Sequence, residues 1–584
     1  MFSPPNAMGM LLIIRGRLAA ALLASALLLA GCGGDSSGGE SVSGSVSEQL
    51  AYLEPDSSVV AAVDLRFGEE NWKHLQALIS RGLREYRNID PESAVQVPPN
   101  LNGALDQLAG SAGLDFEEDL EPLLDGYLVV GQTVEPAPAE VQQNVPDQGE
   151  APLEPRQTTV FTYRTESDGL RRVVEKLAGG DKLRPVPGQE DALLVDSSTA
   201  VVGDNTLVNV DSSSNQGEGP AGKALTAALE RGKGDGGYPA GRLDDAQEQT
   251  GSEDPLVLAT GNLDLGGLLV NQASLDRARA EVPLLAAIRG IATTVDIEED
   301  KLSGAVRITT EAGELTDEDV PLGPSGPVEL PVKEDAVVGG SRNQSMTTAF
   351  ATKLARSLFA DSRFVRAVES TESKLGIDFE QEFLRQFDCP SVSVFEGPET
   401  QEFAARSCVS DPARMRRLLP RLTPELPRII TALQALESEG LLALLLIAPD
   451  APLTPSFGGV LGAVDVKPLG KGGGEEQLYE LRGLQDPDSR LAFPGPDRVV
   501  FGMIGDDFVV GSDREGVRDV AEIETEKYGR DAASATRVPA AIALGATDGP
   551  ESRLAERLIE ELSISASGDR SGIEIDLELP FANR

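Results

Sequence analysis

The side chains that perform most enzymatic chemistry are scarce in this 584-residue chain. It has one histidine, His74, and three cysteines, against 95 aspartates and glutamates. So few His and Cys cannot build the usual zinc cages, and a Ser–His–Asp site would have to use His74. That residue falls off the apolar stripe Trp72, Leu75, Ile79, Tyr86 of a helical pattern, where an exposed surface position is expected. Carboxylates remain. Asp115 and Asp378 recur in matching settings, Gly113-Leu114-Asp115-Phe116-Glu117 and Gly376-Ile377-Asp378-Phe379-Glu380. A carboxylate pair suits glycosidase-like hydrolysis. Each also precedes a helical run, where Asp caps free backbone N–H groups. The capping role is the expected one, so no residue is assigned as catalytic, cofactor-binding or metal-binding.

Two glycine motifs point toward nucleotides and lack the rest of the machinery. Gly217-Glu218-Gly219-Pro220-Ala221-Gly222-Lys223-Ala224 mimics a phosphate-binding loop, but Ala224 stands where a hydroxyl must hold magnesium. Gly232, Gly234 and Gly237 form a G-x-G-x-x-G preceded by a helix rather than a strand, so the dinucleotide context is missing. Gly34-Asp35-Ser36-Ser37-Gly38 matches a nucleophile elbow only formally, because neither the strand before it nor the helix after it is present. No nucleotide and no cofactor is expected.

The cysteines carry clearer chemistry. Leu29-Ala30-Gly31-Cys32 resembles the bacterial lipobox, with Arg15 and Arg17 and the apolar run Leu18 to Ala30 upstream. Basic start, apolar middle and small-residue end make a secretory signal peptide over residues 1–31. The run is shorter than the roughly 20 residues a stable span needs. Cys32 is the expected lipidation site, and two acyl chains anchor stably where one does not. Outside the cytoplasm, Cys389 and Cys408 are expected to form a disulfide. Ser391 to Phe395 and Phe403 to Val409 read as a hairpin. A turn centred between Pro398 and Glu399 would set Val394 opposite Phe403, Val392 opposite Ala405 and Cys389 opposite Cys408, within disulfide reach.

These residues need a scaffold. Residues 32–49 are Gly/Ser-rich and read as a flexible tether. Folded sequence begins near Leu50, with a mobile insertion at 134–157, a loop at 232–254 and a Pro-rich linker at 321–331. Residues 50–320 and 332–584 then form two units. Gly113–Glu117, Ser167-Asp168, Gly203-Asp204 and Ser303–Arg307 recur in order as Gly376–Glu380, Ser410-Asp411, Gly505-Asp506 and Ser571–Ile575. Four landmarks in one order imply a tandem duplication. In the last strand Ile573, Ile575, Leu577 and Leu579 alternate with acids, as in an antiparallel sheet with one wet face. The fold class expected is α+β, each unit an antiparallel sheet with helices packed on one face.

The order Leu50-Ala51-Tyr52-Leu53-Glu54-Pro55-Asp56, a Val-rich strand, the Trp72 helix and Gly113-Leu114-Asp115-Phe116 resembles the bacterial family catalogued as domain of unknown function 3352. The resemblance implies an extracytoplasmic, often lipidated, duplicated protein, and no catalytic residue. A formal charge of −44 spread along the chain excludes nucleic-acid binding and attraction to anionic headgroups. The expected function is a non-enzymatic binding or scaffold lipoprotein on the outer side of the cell membrane, with an envelope protein as partner. One alternative is a carrier or sensor of an apolar ligand, with Pro427 to Ile447 as the lid or wall of a groove rather than the buried core helix its apolar character otherwise implies. A carboxylate-based hydrolase is the other.

Overall fold

The computed structural model describes residues 41–582 apart from 90–99, 136–155, 179–182, 213–218, 235, 263–271, 312, 314, 361, 398–401, 438–463, 470–474, 485–497 and 544–549. The signal peptide, Cys32, most of the insertion and the second half of Pro427–Ile447 therefore lie outside the described residues.

Valine-rich, alternating segments become strands. In the N-terminal half these are β1 (Val59–Asp64), β2 (Tyr127–Glu135), β3 (Arg156–Arg164), β4 (Arg184–Val186), β5 (Gln189–Leu194), β6 (Thr199–Val202), β7 (Thr206–Ser212), β8 (Val257–Gly261), β9 (Ile288–Ile297) and β10 (Lys301–Thr310). The C-terminal half supplies β11 (Gly326–Pro331), β12 (Val337–Ser341), β13 (Ser391–Phe395), β14 (Phe403–Cys408), β15 (Asp465–Leu469) and β16 (Glu476–Arg482). It continues with β17 (Arg498–Ile504), β18 (Asp507–Gly511), β19 (Thr525–Ala532), β20 (Ser534–Pro539), β21 (Glu561–Asp569) and β22 (Gly572–Pro580).

Twenty of these strands form one antiparallel sheet. Its pairings run β4-β5-β6-β7-β3-β2-β1-β8-β9-β10 through the N-terminal half. They continue β22-β21-β20-β12-β13-β14-β18-β17-β16-β15 through the C-terminal half. Read inward from its own edge, each half visits its strands in the same order. The two outermost strands also match, Arg184-Pro185-Val186 and Lys467-Pro468-Leu469, each with a proline that lacks the ladder's N–H donor.

The seam is β10 against β22, nine residue pairs from Lys301↔Pro580 to Thr309↔Gly572. Arg307 Nη1 crosses it to Asp576 Oδ1 at 2.7 Å. Helices reinforce the join. The principal ones are α1 (Val42–Leu50), α2 (Glu70–Ile89), α3 (Leu101–Ser111), α4 (Leu170–Leu177), α5 (Gly219–Arg231), α6 (Gly241–Thr250) and α7 (Gln272–Glu281). In the C-terminal half they are α8 (Gln344–Leu358), α9 (Arg363–Leu375), α10 (Pro412–Leu422), α11 (Leu426–Glu437), α12 (Arg514–Glu522) and α13 (Pro550–Leu558). Helix α2 packs on α13, and α7 packs on α8. Thus the helix following each half's first central strand rests on the helix preceding the other half's closing hairpin. Arg557 pairs with Glu85 at 3.0 Å, and Ser357 Oγ donates to Glu281 at 2.7 Å.

Helices cover both faces of the sheet, not one. In β6 and β7, Ala200 and Val208 pack beneath α1, α5 and α6, while the adjacent Val201 and Leu207 pack against α4 and Phe116. The C-terminal half repeats this, with β11, β19 and α12 over one face and α10 and α11 over the other. Period-two sequence reports which residues are apolar, and here both sets often are, as in Val-Val-Ala-Ala-Val of β1.

Three segments expected to be loose are structured. The C-terminal part of the stretch expected as tether is helix α1, where Val42, Val46 and Leu50 fall four apart and are fully buried beside α6. The loop 232–254 contains α6, which buries Leu243, Ala246 and Thr250 and ends at left-handed Gly251. The linker 321–331 contributes β11, which pairs with β19 and buries Val328 and Leu330. In each case Gly, Ser or Pro composition hid an apolar period.

If α1 is part of the core, Val46→Asp should lower the thermal midpoint of the protein by several degrees. A charge buried without a partner costs several kcal/mol. An unchanged melting curve would return residues 42–50 to the tether.

Candidate functional site

The recurring aspartates are helix caps. After α3 the chain turns at Gly113 (φ 73°), Leu114 N–H returns to Ala109 O at 2.9 Å, and Asp115 Oδ1 accepts from Glu118 N–H at 3.0 Å. After α9 it turns at Gly376 (φ 64°), Ile377 N–H returns to Glu372 O at 3.1 Å, and Asp378 Oδ1 accepts from Gln381 N–H at 2.9 Å. Glycine is needed at each turn because the left-handed region is costly for other residues. Both carboxylates are exposed, and each occupies the same local corner of its own half.

The glycine motifs also resolve into packing. Gly222 and Lys223 lie in the first turns of α5, with Lys223 exposed, while 217–218 lie outside the described residues. A Cβ at Gly232 would strike the Tyr52 ring, and one at Gly237 would sit 2.4 Å from Ala51 Cα. These glycines let the segment after α5 close over the end of α1. His74 is half-buried rather than exposed, with Nδ1 3.1 Å from Ile297 O. Helix α2 lies against β9 more broadly than its apolar stripe suggested. The described part of Pro427–Ile447 is α11, which buries Ile429 and Ala432 and packs on α9.

A buried polar network that sequence reasoning missed ties β1 to the turn before β8. Asp64 is fully buried and accepts two bonds from the Arg66 guanidinium at 2.9 Å. Arg66 reaches Asp254 at 2.8 Å, and Asn71 Nδ2 donates to Asp254 O at 2.8 Å. The Arg66 guanidinium also lies 4.8 Å from the centre of the Tyr127 ring, and burial pushes the Tyr127 hydroxyl well above its ordinary value. The signal was present in Asp64-Leu65-Arg66 at a strand end, but its partner lies far along the chain. Close by, Asp296 accepts from Ser252 Oγ, and burial pushes its carboxyl up to about 6.

One hollow stands out by chemistry. It measures about 510 Å³ and lies between α12 and the outer strands β15–β17. Leu469 and Val500 form its apolar lining, with Glu480 and Arg498 on the strands and Arg514 and Arg518 on the helix. Glu480 is bound by Arg482, Nε to Oε2, at 2.6 Å. Arg514 and Arg518 share Glu476 at 2.9 and 2.8 Å, and these arginines hold the Glu476 carboxyl below its ordinary value. Asp513 is used as the cap of α12, accepting from Gly516 N–H at 2.8 Å.

Cys389 and Cys408 form a disulfide with Cα atoms 5.8 Å apart. The hairpin register differs by one residue from expectation. Val394 faces Ala404, not Phe403, and Val392 faces Arg406, not Ala405. Cys408 N–H donates to Pro390 O at 3.2 Å, so the bond joins residues displaced by one position at the hairpin's open end. The reason lies in the two cores. Val394 and Ala404 share the face beneath β11, whereas Phe403 packs with the Phe387 and Phe501 cluster on the other. A one-residue slip would exchange those faces.

Among the described residues, no group of three or more His, Cys, Asp or Glu side chains is arranged to hold a metal ion, and no helix is long and apolar enough to cross a membrane. No family model matches the chain, and no curated protein matches it. A solved chain described as the structure of crystal form I of TP0453 is similar at 9% identity and a TM-score of 0.21, over 46% of this chain and 80% of that one. A likeness at that level carries no inference about fold or activity.

Two outcomes follow from this geometry. Asp296 has a folded value above its ordinary 3.8. Its protonated form therefore favours the fold, and that contribution is complete below about pH 4 and lost as pH rises through about 6. Asp296→Asn should be more stable than the parent at pH 7.5, by up to about 3 kcal/mol. The gap should close toward pH 4 in urea titrations; a gap independent of pH would contradict the assignment. Replacing both Cys389 and Cys408 by Ser should cost about 3 kcal/mol on the chain-entropy account. Non-reduced peptide mapping should show the linked pair in the parent.

Proposed function

We propose that this protein is a lipid-anchored binding or scaffold protein on the outer side of the cell membrane, held there through Cys32. The observation that carries the reading is the fate of the recurring carboxylates. Asp115 and Asp378 are used as caps in matching corners, which supports a structural rather than a hydrolytic role. The lipobox-like Leu29-Ala30-Gly31-Cys32 supports export and anchoring, and the Cys389–Cys408 bond fits an oxidising compartment.

The same reading takes the chain as two copies of one ten-strand unit and as a relative of the domain of unknown function 3352 family. Its support is the common strand order, the paired Gly-x-Asp-Phe corners, the paired Arg-Pro-Val and Lys-Pro-Leu edges, and the reciprocal α2–α13 and α7–α8 contacts. A duplicated sheet joined along a nine-pair seam is a rigid platform, suited to holding a partner in the envelope.

Cys32→Ser should release the protein from the membrane fraction or leave it as uncleaved precursor. Retention of a cleaved product would refute the anchor. Crosslinking of intact cells, followed by purification of the full chain, should recover one defined envelope protein in near-equal amount. Recovery of no partner at all would refute the scaffold role.

A further inference from the structure

The charged hollow marks a difference in chemistry between the two halves. In the N-terminal half the corresponding space is filled. Helix α5 has 13 residues, and its Leu225, Ala228 and Leu229 pack onto Val186, Ala192 and Ala200 of the outer strands. In the C-terminal half α12 has only nine residues. On the strand face beneath it, Lys467 lies opposite Glu480, Glu480 opposite Val500, and Arg498 two residues from Val500. Val517 of α12 still packs on Leu478, Val500 and Val509, but charged side chains ring the opening beside that contact, which is large enough for a small molecule.

The charges left over define the ligand. Glu480 is taken by Arg482, Arg514 and Arg518 share the single Glu476 and keep one positive charge beyond it, and Asp513 is used by the helix cap. Among the described residues Arg498 has no carboxylate partner. Glu515 and Asp519, one helical turn apart on α12, have no cationic partner there either. One free guanidinium thus faces the same opening as two free carboxylates, above an apolar floor of Leu469 and Val500.

We infer that this hollow binds a small zwitterion, its anionic group on Arg498 and its ammonium between Glu515 and Asp519. Arginine offers a planar fork that matches carboxylate and phosphate oxygens alike. The shared chemistry is therefore an ammonium and an oxyanion on a short linker, as in an aminophosphate headgroup or an amino acid. The inference rests on the binding-protein reading above and adds the class of ligand.

Isothermal titration of the full lipidated chain in detergent tests it, with O-phosphoethanolamine, glycylglycine, inorganic phosphate and ethanolamine as probes. At least one zwitterion should bind saturably, and more tightly than either single-charge probe. Preference for phosphoethanolamine assigns a headgroup source; preference for glycylglycine assigns a peptide source. Arg498→Gln and Asp519→Asn, both at exposed positions, should each weaken that binding by about tenfold, the worth of one charged hydrogen bond. Leu469→Trp, which fills the hollow, should abolish it. No saturable zwitterion binding, equal binding of phosphate alone, or indifference to all three variants would overturn the inference. Membrane retention through Cys32, measured by fractionating the same cells before detergent is added, separates this failure from failure of the anchor reading.

Discussion

Everything in this structure depends on the antiparallel pairing of β10 with β22. Without it the chain would be two ten-strand sheets, each with an open edge that is apolar on one face and charged on the other. With it, nine residue pairs join the halves, and Arg307 spans the join to Asp576. Strand pairing alone would leave a flexible ribbon. The α2–α13 and α7–α8 contacts prevent that by placing a helix of each half on a helix of the other; α7 and α8 share a core with Ile308, Ile573 and Ile575, and α2 shares another with Leu302 and Leu579. The seam therefore lies under two cores, each built from residues of both halves.

Electrostatics is organised differently from what a charge of −44 suggests. Among the described residues some ion pairs are exposed on both sides, such as Arg171–Glu175 and Arg570–Asp317, and exposed pairs contribute little. The consequential charges are few and buried. Asp64 is surrounded by Arg66 and Asn71, so removing either partner would strand a carboxylate in the interior. That network fixes β1, the first central strand, to the turn that introduces β8. It is a positional device, set where three separate segments must meet.

The sequence disclosed elements better than their neighbours. The Val-rich strand expected after Leu50–Asp56 is Val59–Asp64, because a β-branched run is a local property. The caps at Asp115 and Asp378 were legible for the same reason: a glycine, an aspartate and a helix start lie within a few residues. Helix α1 was not legible, because its apolar positions are diluted by Ser and Gly, and only burial against α6 gives the spacing meaning. The hairpin register failed by one residue because it is decided by two cores on opposite faces, and a single strand pair cannot report both. The hollow was invisible for a similar reason. Arg498, Glu480 and Asp519 come from separate elements, and only the fold brings them around one opening.

The outermost strands have a consequence for how copies of this protein coexist. Among the described residues the sheet of twenty strands ends in two rows of unpaired backbone groups, and such rows template fibrous stacking when molecules crowd together. Here one end is a three-residue strand, Arg184-Pro185-Val186, and the other is Asp465–Leu469, with Asp465, Lys467 and Pro468 along it. An incoming strand would meet a missing donor and a fixed charge at either end. The architecture is thus self-limiting: length was gained by joining two halves internally, and the rims are built so that no third half can be added.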